Sequence, residues 1–154
     1  MPVASIKRKE LAKKVLLTSN FIVGLLIGTT VVLMTGLCFG AVSEVLFIHP
    51  KDYSPAAAEQ LLTTYGLATI LCGLWAFAMI KNCIKAWKNK EDREKYTIYR
   101  KRELLMQTIY AVMSLISTIH SPIPKYYIET IILATWVIWG YINTFTGILG
   151  GKDE

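Results

Sequence analysis

The sequence predicts an all-α, polytopic integral membrane protein, a bundle of four transmembrane helices with a basic helical inner loop between the second and third. Three observations carry this. First, 53% of the 154 residues are apolar, and the 17 Lys and Arg and 11 Asp and Glu leave four uncharged runs, Val15–Ser43, Gln60–Ile80, Leu104–Pro124 and Thr130–Gly151. At a rise of about 1.5 Å per residue each run is long enough to cross a hydrocarbon core about 30 Å thick. A soluble domain of this size spreads its charges through all of its elements. Second, the basic residues alternate in density: five precede Val15 and nine lie in 81–103, whereas Lys51 and Lys125 stand alone in the other two connections. An excess of Lys and Arg on alternate connections is what the positive-inside rule requires of a four-span chain with both termini inside. Third, Pro50, Pro55, Pro122 and Pro124 fall in the connections, where proline ends helices.

The expected organisation is one transmembrane domain over 1–154, with spans at about 16–43, 58–80, 104–121 and 127–149 and the inner loop at 81–103. The first run is longer than a bilayer needs, so it must tilt or project. Its helical character continues through Glu44 to Ile48 until Pro50. Ser54-Pro55-Ala56 reads as an N-cap with proline at the first helical position. The second span then runs from near Ala56 to about Trp87, placing Lys81, Lys85 and Lys88 at the inner interface. A bend is expected near Asn89, followed by a short helix feeding the third span after Arg100, Lys101 and Arg102. That span ends at the Pro-rich outer turn His120–Pro124. The fourth opens at the interfacial aromatic pair Tyr126-Tyr127 and stops at Gly150-Gly151.

Small residues recur every four positions on the first span: Gly24, Gly28, then Gly36 and Gly40, with Val32 in the register between. Glycines one turn apart form a groove into which another helix backbone packs closely. The fourth span carries a weaker version, including Gly140 and Gly147. The groove serves either the bundle itself or another protein, and the sequence does not choose. Leucine at Gly28 or Gly36 is expected to disturb packing more than Val31→Leu, with Val31 taken to face lipid.

Polar residues divide into two groups. Asn20, Gln107 and Asn143 are expected at depth toward the inner leaflet, where amides bond across helices. Glu44, Glu129 and His120 belong to the outer ends, without the spacing of a metal or hydrolytic site. The middles of the spans hold no ionisable group, which weighs against proton-coupled transport. Three cysteines without CxxC give neither a disulfide framework nor a zinc site, and no nucleic-acid motif accompanies the net charge of +6. No cofactor and no metal are expected.

These features point to a non-catalytic structural or accessory subunit of a multi-subunit membrane complex, packing through glycine-rich helix faces. Its partners are then other membrane-protein subunits and anionic lipid headgroups at the inner face, met by Lys81, Lys85, Lys88, Arg100, Lys101 and Arg102, with no nucleic acid. A small oligomeric channel or transporter is the alternative, and a lipid-modifying enzyme using Glu44, Glu129 and His120 a second one. An organelle membrane, mitochondrial inner or endoplasmic reticulum, is preferred to the plasma membrane because the outer connections are short.

Overall fold

The computed structural model describes residues 3–120 and 124–145, and among them every regular element is helical. Helix α1 runs Val3–Ser43 and continues as a π-helical turn, Glu44–Ile48. Helices α2 (Pro55–Lys88), α3 (Arg93–His120) and α4 (Pro124–Phe145) follow. Three segments are long and apolar enough to cross a membrane: Ser5–Ile48, Pro55–Lys88 and Tyr127–Phe145. The four-span expectation therefore holds for three helices, while α3 falls short among the described residues. Its first third is charged from Arg93 to Glu103, and Gln107, Thr108, Ser114 and Thr118 interrupt the apolar remainder.

Local chemistry explains the boundaries. The π-turn closes with the His49 amide donating to the Glu44 carbonyl at 2.9 Å, five residues back, and Pro50 prevents continuation. Ser54 caps α2 as its position suggested: the Ala57 amide donates to Ser54 Oγ at 3.3 Å, and Pro55 fills the first helical position, where the missing N–H is not needed. Between α2 and α3 the chain turns over Asn89–Asp92. Asn89 Nδ2 donates to the Lys85 carbonyl at 2.8 Å, and Asp92 caps the next helix by accepting the Lys95 amide at 3.1 Å. That hydrogen bond holds the Asp92 carboxyl below the usual carboxylate range. The expected short helix before a separate third span is instead one continuous helix, because neither glycine nor proline interrupts residues 93–120.

The chain divides into two compact units. The unit Leu26–Ala78 holds the later part of α1, the π-turn and the first two thirds of α2. Its surface is strongly apolar, with Leu37 75% and Phe47 78% exposed, a surface that suits lipid or another protein and not water. Gly73 approaches Thr35 across its two helices, a Cβ there lying 3.6 Å from Thr35 Cγ2. Val31, expected to face lipid, is 1% exposed. It sits four residues after the buried Ile27, on the inward stripe of α1, and is no neutral position for substitution.

The other unit is drawn from Met1–Leu25 and Met79–Glu154. Within it α3 and α4 run closely side by side. A ladder of hydroxyls joins them: Thr108 Oγ1 lies 3.1 Å from the Tyr141 hydroxyl, and Ser114 and Thr118 each lie 2.9 Å from Thr130 Oγ1. Thr118 and Thr130 are buried, so each bond replaces water that the interior excludes. Leu17, Ala86 and Tyr96 form one apolar cluster of the unit, and Phe21 stacks on Trp87 at 4.7 Å.

The glycine groove is used unevenly. A Cβ at Gly24 would strike the Glu103 carboxylate and lie 2.8 Å from Cys83 Sγ, whereas a Cβ at Gly36 or Gly40 meets nothing within 4 Å. Gly28 is buried, and Gly147 and the expected stop at Gly150-Gly151 lie outside the described residues. Leucine at Gly24 is thus expected to lower the melting temperature of the detergent-solubilised chain by several degrees or to abolish its fold. Gly36→Leu is expected to leave it within about 1 °C of the parent, as surface changes do. Differential scanning fluorimetry of both variants reads the contrast.

A buried polar cluster as candidate functional site

Helical spacing assembles the cluster. On α3, Tyr96, Arg100, Glu103 and Gln107 follow one another by four, three and four residues and so share one face. On α1, Asn20 and Gly24 are four apart, and on α4, Gly140 and Asn143 are three apart. With Cys83 from α2, these faces meet inside the unit that contains them all.

At the centre lies an ion pair. Arg100 Nη1 stands 2.8 Å from Glu103 Oε2, and both side chains are 2% exposed. The second Glu103 oxygen accepts from Gln107 Nε2 at 3.0 Å. Cys83 Sγ, 3.5 Å from the Phe21 carbonyl, borders the same carboxylate. Arg100 Nε makes no hydrogen bond, so the guanidinium is compensated by charge more than by geometry. Gly140 makes room for it: a Cβ there would lie 2.9 Å from Arg100 Nη2 and 2.7 Å from Leu104 Cδ2. An uncompensated charge in such an interior would cost several kcal/mol, roughly, and only the paired state is tolerable.

Beside the ion pair the amides close on one another. Asn20 Nδ2 donates to Asn143 Oδ1 at 3.1 Å, Asn143 Nδ2 returns a bond of 3.1 Å to Asn20 Oδ1, and Asn20 Nδ2 also reaches the Tyr96 hydroxyl at 3.2 Å. The reciprocal pair satisfies both carboxamides without water. All three amides expected at depth are buried, and Asn20 and Asn143 are joined directly. Burial raises the Tyr96 hydroxyl above its ordinary range.

One basic position is corrected. Arg100, expected among headgroup-facing cations, is 2% exposed and turned into the unit. Lys81, Lys85, Lys88, Lys101 and Arg102 are exposed. Lys101 and Arg102 follow Arg100 by one and two residues, hence by about 100° and 200° around the helix, which is why three adjacent cations do not share a surface. Glu103 was likewise counted with the loop and lies inside. The signal was present, since the spacing 96, 100, 103, 107 is a helical stripe, but a charge ledger by segment conceals it. Of the outer-end residues, Glu44 is bonded to His49 Nδ1 at 2.6 Å, His120 Nδ1 donates to the Ile116 carbonyl at 2.9 Å, and Glu129 is exposed.

The arrangement can clamp three helices through neutral and charge-paired bonds. Compared with protein-family models, curated proteins and solved structures, the chain matches none. The ion pair sets a test in energy: Arg100→Leu, which strands a buried carboxylate, is expected to destabilise by about 3–5 kcal/mol, and the double variant Arg100→Leu/Glu103→Leu by less than either single change. Urea or thermal unfolding in mild detergent measures the cycle, and additive losses would mean that the pair is not coupled.

Proposed function

We propose that the chain is a four-span membrane protein with both termini on the basic side, and that it serves as a non-catalytic accessory subunit of a larger membrane complex. The observation that carries this is the bare half of the α1 groove. Gly36 and Gly40 are exposed, a Cβ at either would meet no neighbouring element of the described residues within 4 Å, and exposed Leu33 and Leu37 stand beside them. A groove of this kind accepts a helix backbone, and dispersion contacts along it are a main attraction between helices in lipid. The space at Gly24, twelve residues before Gly36, is already filled by the chain's own side chains. Helix α1 would therefore help hold this protein together near Gly24 and bind a different subunit at Gly36 and Gly40. The basic residues that remain exposed, Lys81, Lys85, Lys88, Lys101 and Arg102, would face the anionic leaflet of an organelle membrane.

The buried amides and ion pair favour a second reading, a small oligomeric channel or transporter, because ionisable groups within membrane helices commonly mark transport routes. The two readings part in native mass measurement after mild solubilisation. An accessory subunit is expected to co-purify with different chains, and Gly36→Leu or Gly40→Leu to release them while the released protein keeps its melting temperature. A homo-oligomer unaffected by these substitutions would replace the proposal with the channel reading. Cysteine labelling that put Lys95→Cys and Asp153→Cys on opposite sides of the membrane would overturn the topology.

A further inference from the structure

A cavity of about 540 Å³ opens in the unit that holds the buried cluster, within the range of about 300–1,000 Å³ typical of small-molecule sites. Four cations line it: Lys13 of α1, Lys90 of the α2–α3 turn, and Arg93 and Lys101, about two turns apart on α3. Glu91 and Glu94 line it as well, so the charge balance is positive. None of the four cations makes an ion pair among the described residues. Two are instead held over aromatic rings, Lys90 Nζ 3.8 Å from the Trp87 centroid and Lys101 Nζ 5.1 Å from that of Phe145, which fixes ammonium groups without neutralising them.

Apolar side chains share the lining: Leu17, Tyr96 and Phe145. The Tyr96 ring is anchored through its hydroxyl to Asn20, so this wall belongs to the rigid part of the unit. Uncompensated cations beside an apolar wall suit an anion that carries a hydrocarbon body. The guanidinium fork of Arg93 and the point charges of the lysines match a phosphate oxyanion better than a single carboxylate.

Position identifies the source. Lys13 and Leu17 straddle the start of the first uncharged run at Val15, Arg93 and Lys101 precede the run that begins at Leu104, and Phe145 lies late in the last. The cavity thus sits where α1 and α3 change from charged to apolar, beside the later part of α4, the level at which a bilayer presents its phosphates. We propose that the cavity formed around Lys13, Lys90, Arg93 and Lys101 binds the phosphate headgroup of one anionic phospholipid, with the start of its acyl region against Leu17 and Phe145. The site rests on the membrane orientation proposed above and is independent of the accessory-subunit role.

The test uses the full chain in mild detergent, where lipid binding is read without reference to orientation or to other subunits. Native mass spectrometry against dioleoyl-phosphatidylglycerol and dioleoyl-phosphatidylcholine at equal concentration is expected to show one retained phosphatidylglycerol per chain, at least tenfold preferred. Arg93→Gln/Lys101→Gln and, separately, Lys13→Gln/Lys90→Gln are each expected to reduce retention tenfold or more. The exposed pair Arg8→Gln/Lys9→Gln, which does not line the cavity, is expected to retain the lipid like the parent, and circular dichroism verifies that every variant is folded. Equal loss in the control pair would mean diffuse attraction to the basic surface, and equal retention of phosphatidylcholine would mean no recognition of the anion. Displacement of the lipid by millimolar inorganic phosphate would assign the cavity to a soluble anion. Any of these three results overturns the proposal.

Discussion

A charge can be buried only where an opposite charge is buried with it, and the Arg100–Glu103 pair imposes that condition on the helices around it. The carboxylate needs neighbours for both oxygens, and Arg100 and Gln107 supply them from the same α3 face. The guanidinium needs room, and Gly140 leaves it on α4; the carboxylate needs room toward α1, and Gly24 leaves it there. Two glycines on different helices are thus explained by one ion pair. Neither is required by its backbone conformation, and both by a side chain that arrives from elsewhere.

The polar inventory of α3 extends this logic toward its far end. Charges come first, then an amide, then the hydroxyls of Thr108, Ser114 and Thr118, each matched on α4. Polar groups of decreasing desolvation cost are spent along the helix, while the reciprocal amides Asn20 and Asn143 tie α1 to α4. In the unit Leu26–Ala78 the threonines return to the preceding turn, as Thr30 does to Leu26, Thr35 to Val31, Thr63 to Glu59 and Thr69 to Tyr65, at 2.7–3.0 Å. One unit is held by directional bonds. The other presents apolar surface and open glycine.

How far the sequence could be read follows from which patterns are local. The helix boundaries at Ser54-Pro55 and Pro50 and the break near Asn89 were legible because capping and proline chemistry act over a few residues. The inward direction of Asn20, Gln107 and Asn143 was legible from polarity inside apolar runs, but their pairing was not, because Asn20 and Asn143 are 123 residues apart. Arg100 was misplaced since residues 100–102 form a charged block in the chain, and only the angular position of each residue on a formed helix separates the inward cation from the outward two. Val31 failed for the same reason. The uneven use of the glycine groove depends on what arrives opposite each glycine, and the repeat of four carries no information about that.

The hydroxyl and charge pattern of α3 has a consequence for how such a chain is made. A helix that enters a bilayer by itself must leave its polar side chains facing hydrocarbon, and α3 would expose a guanidinium, a carboxylate, an amide and several hydroxyls. Thr108 and Thr118 have carbonyls of their own helix to bond, at 2.8 Å each, but their cross-helix contacts, and that of Ser114, are to Tyr141 and Thr130, residues not yet synthesised when α3 leaves the ribosome. In the proposed four-span topology, α1 and α2 would insert on their own apolarity in order of synthesis, whereas α3 would gain its place as half of a hairpin with α4. On that topology the least hydrophobic helix would be the one whose insertion is conditional, waiting for α4.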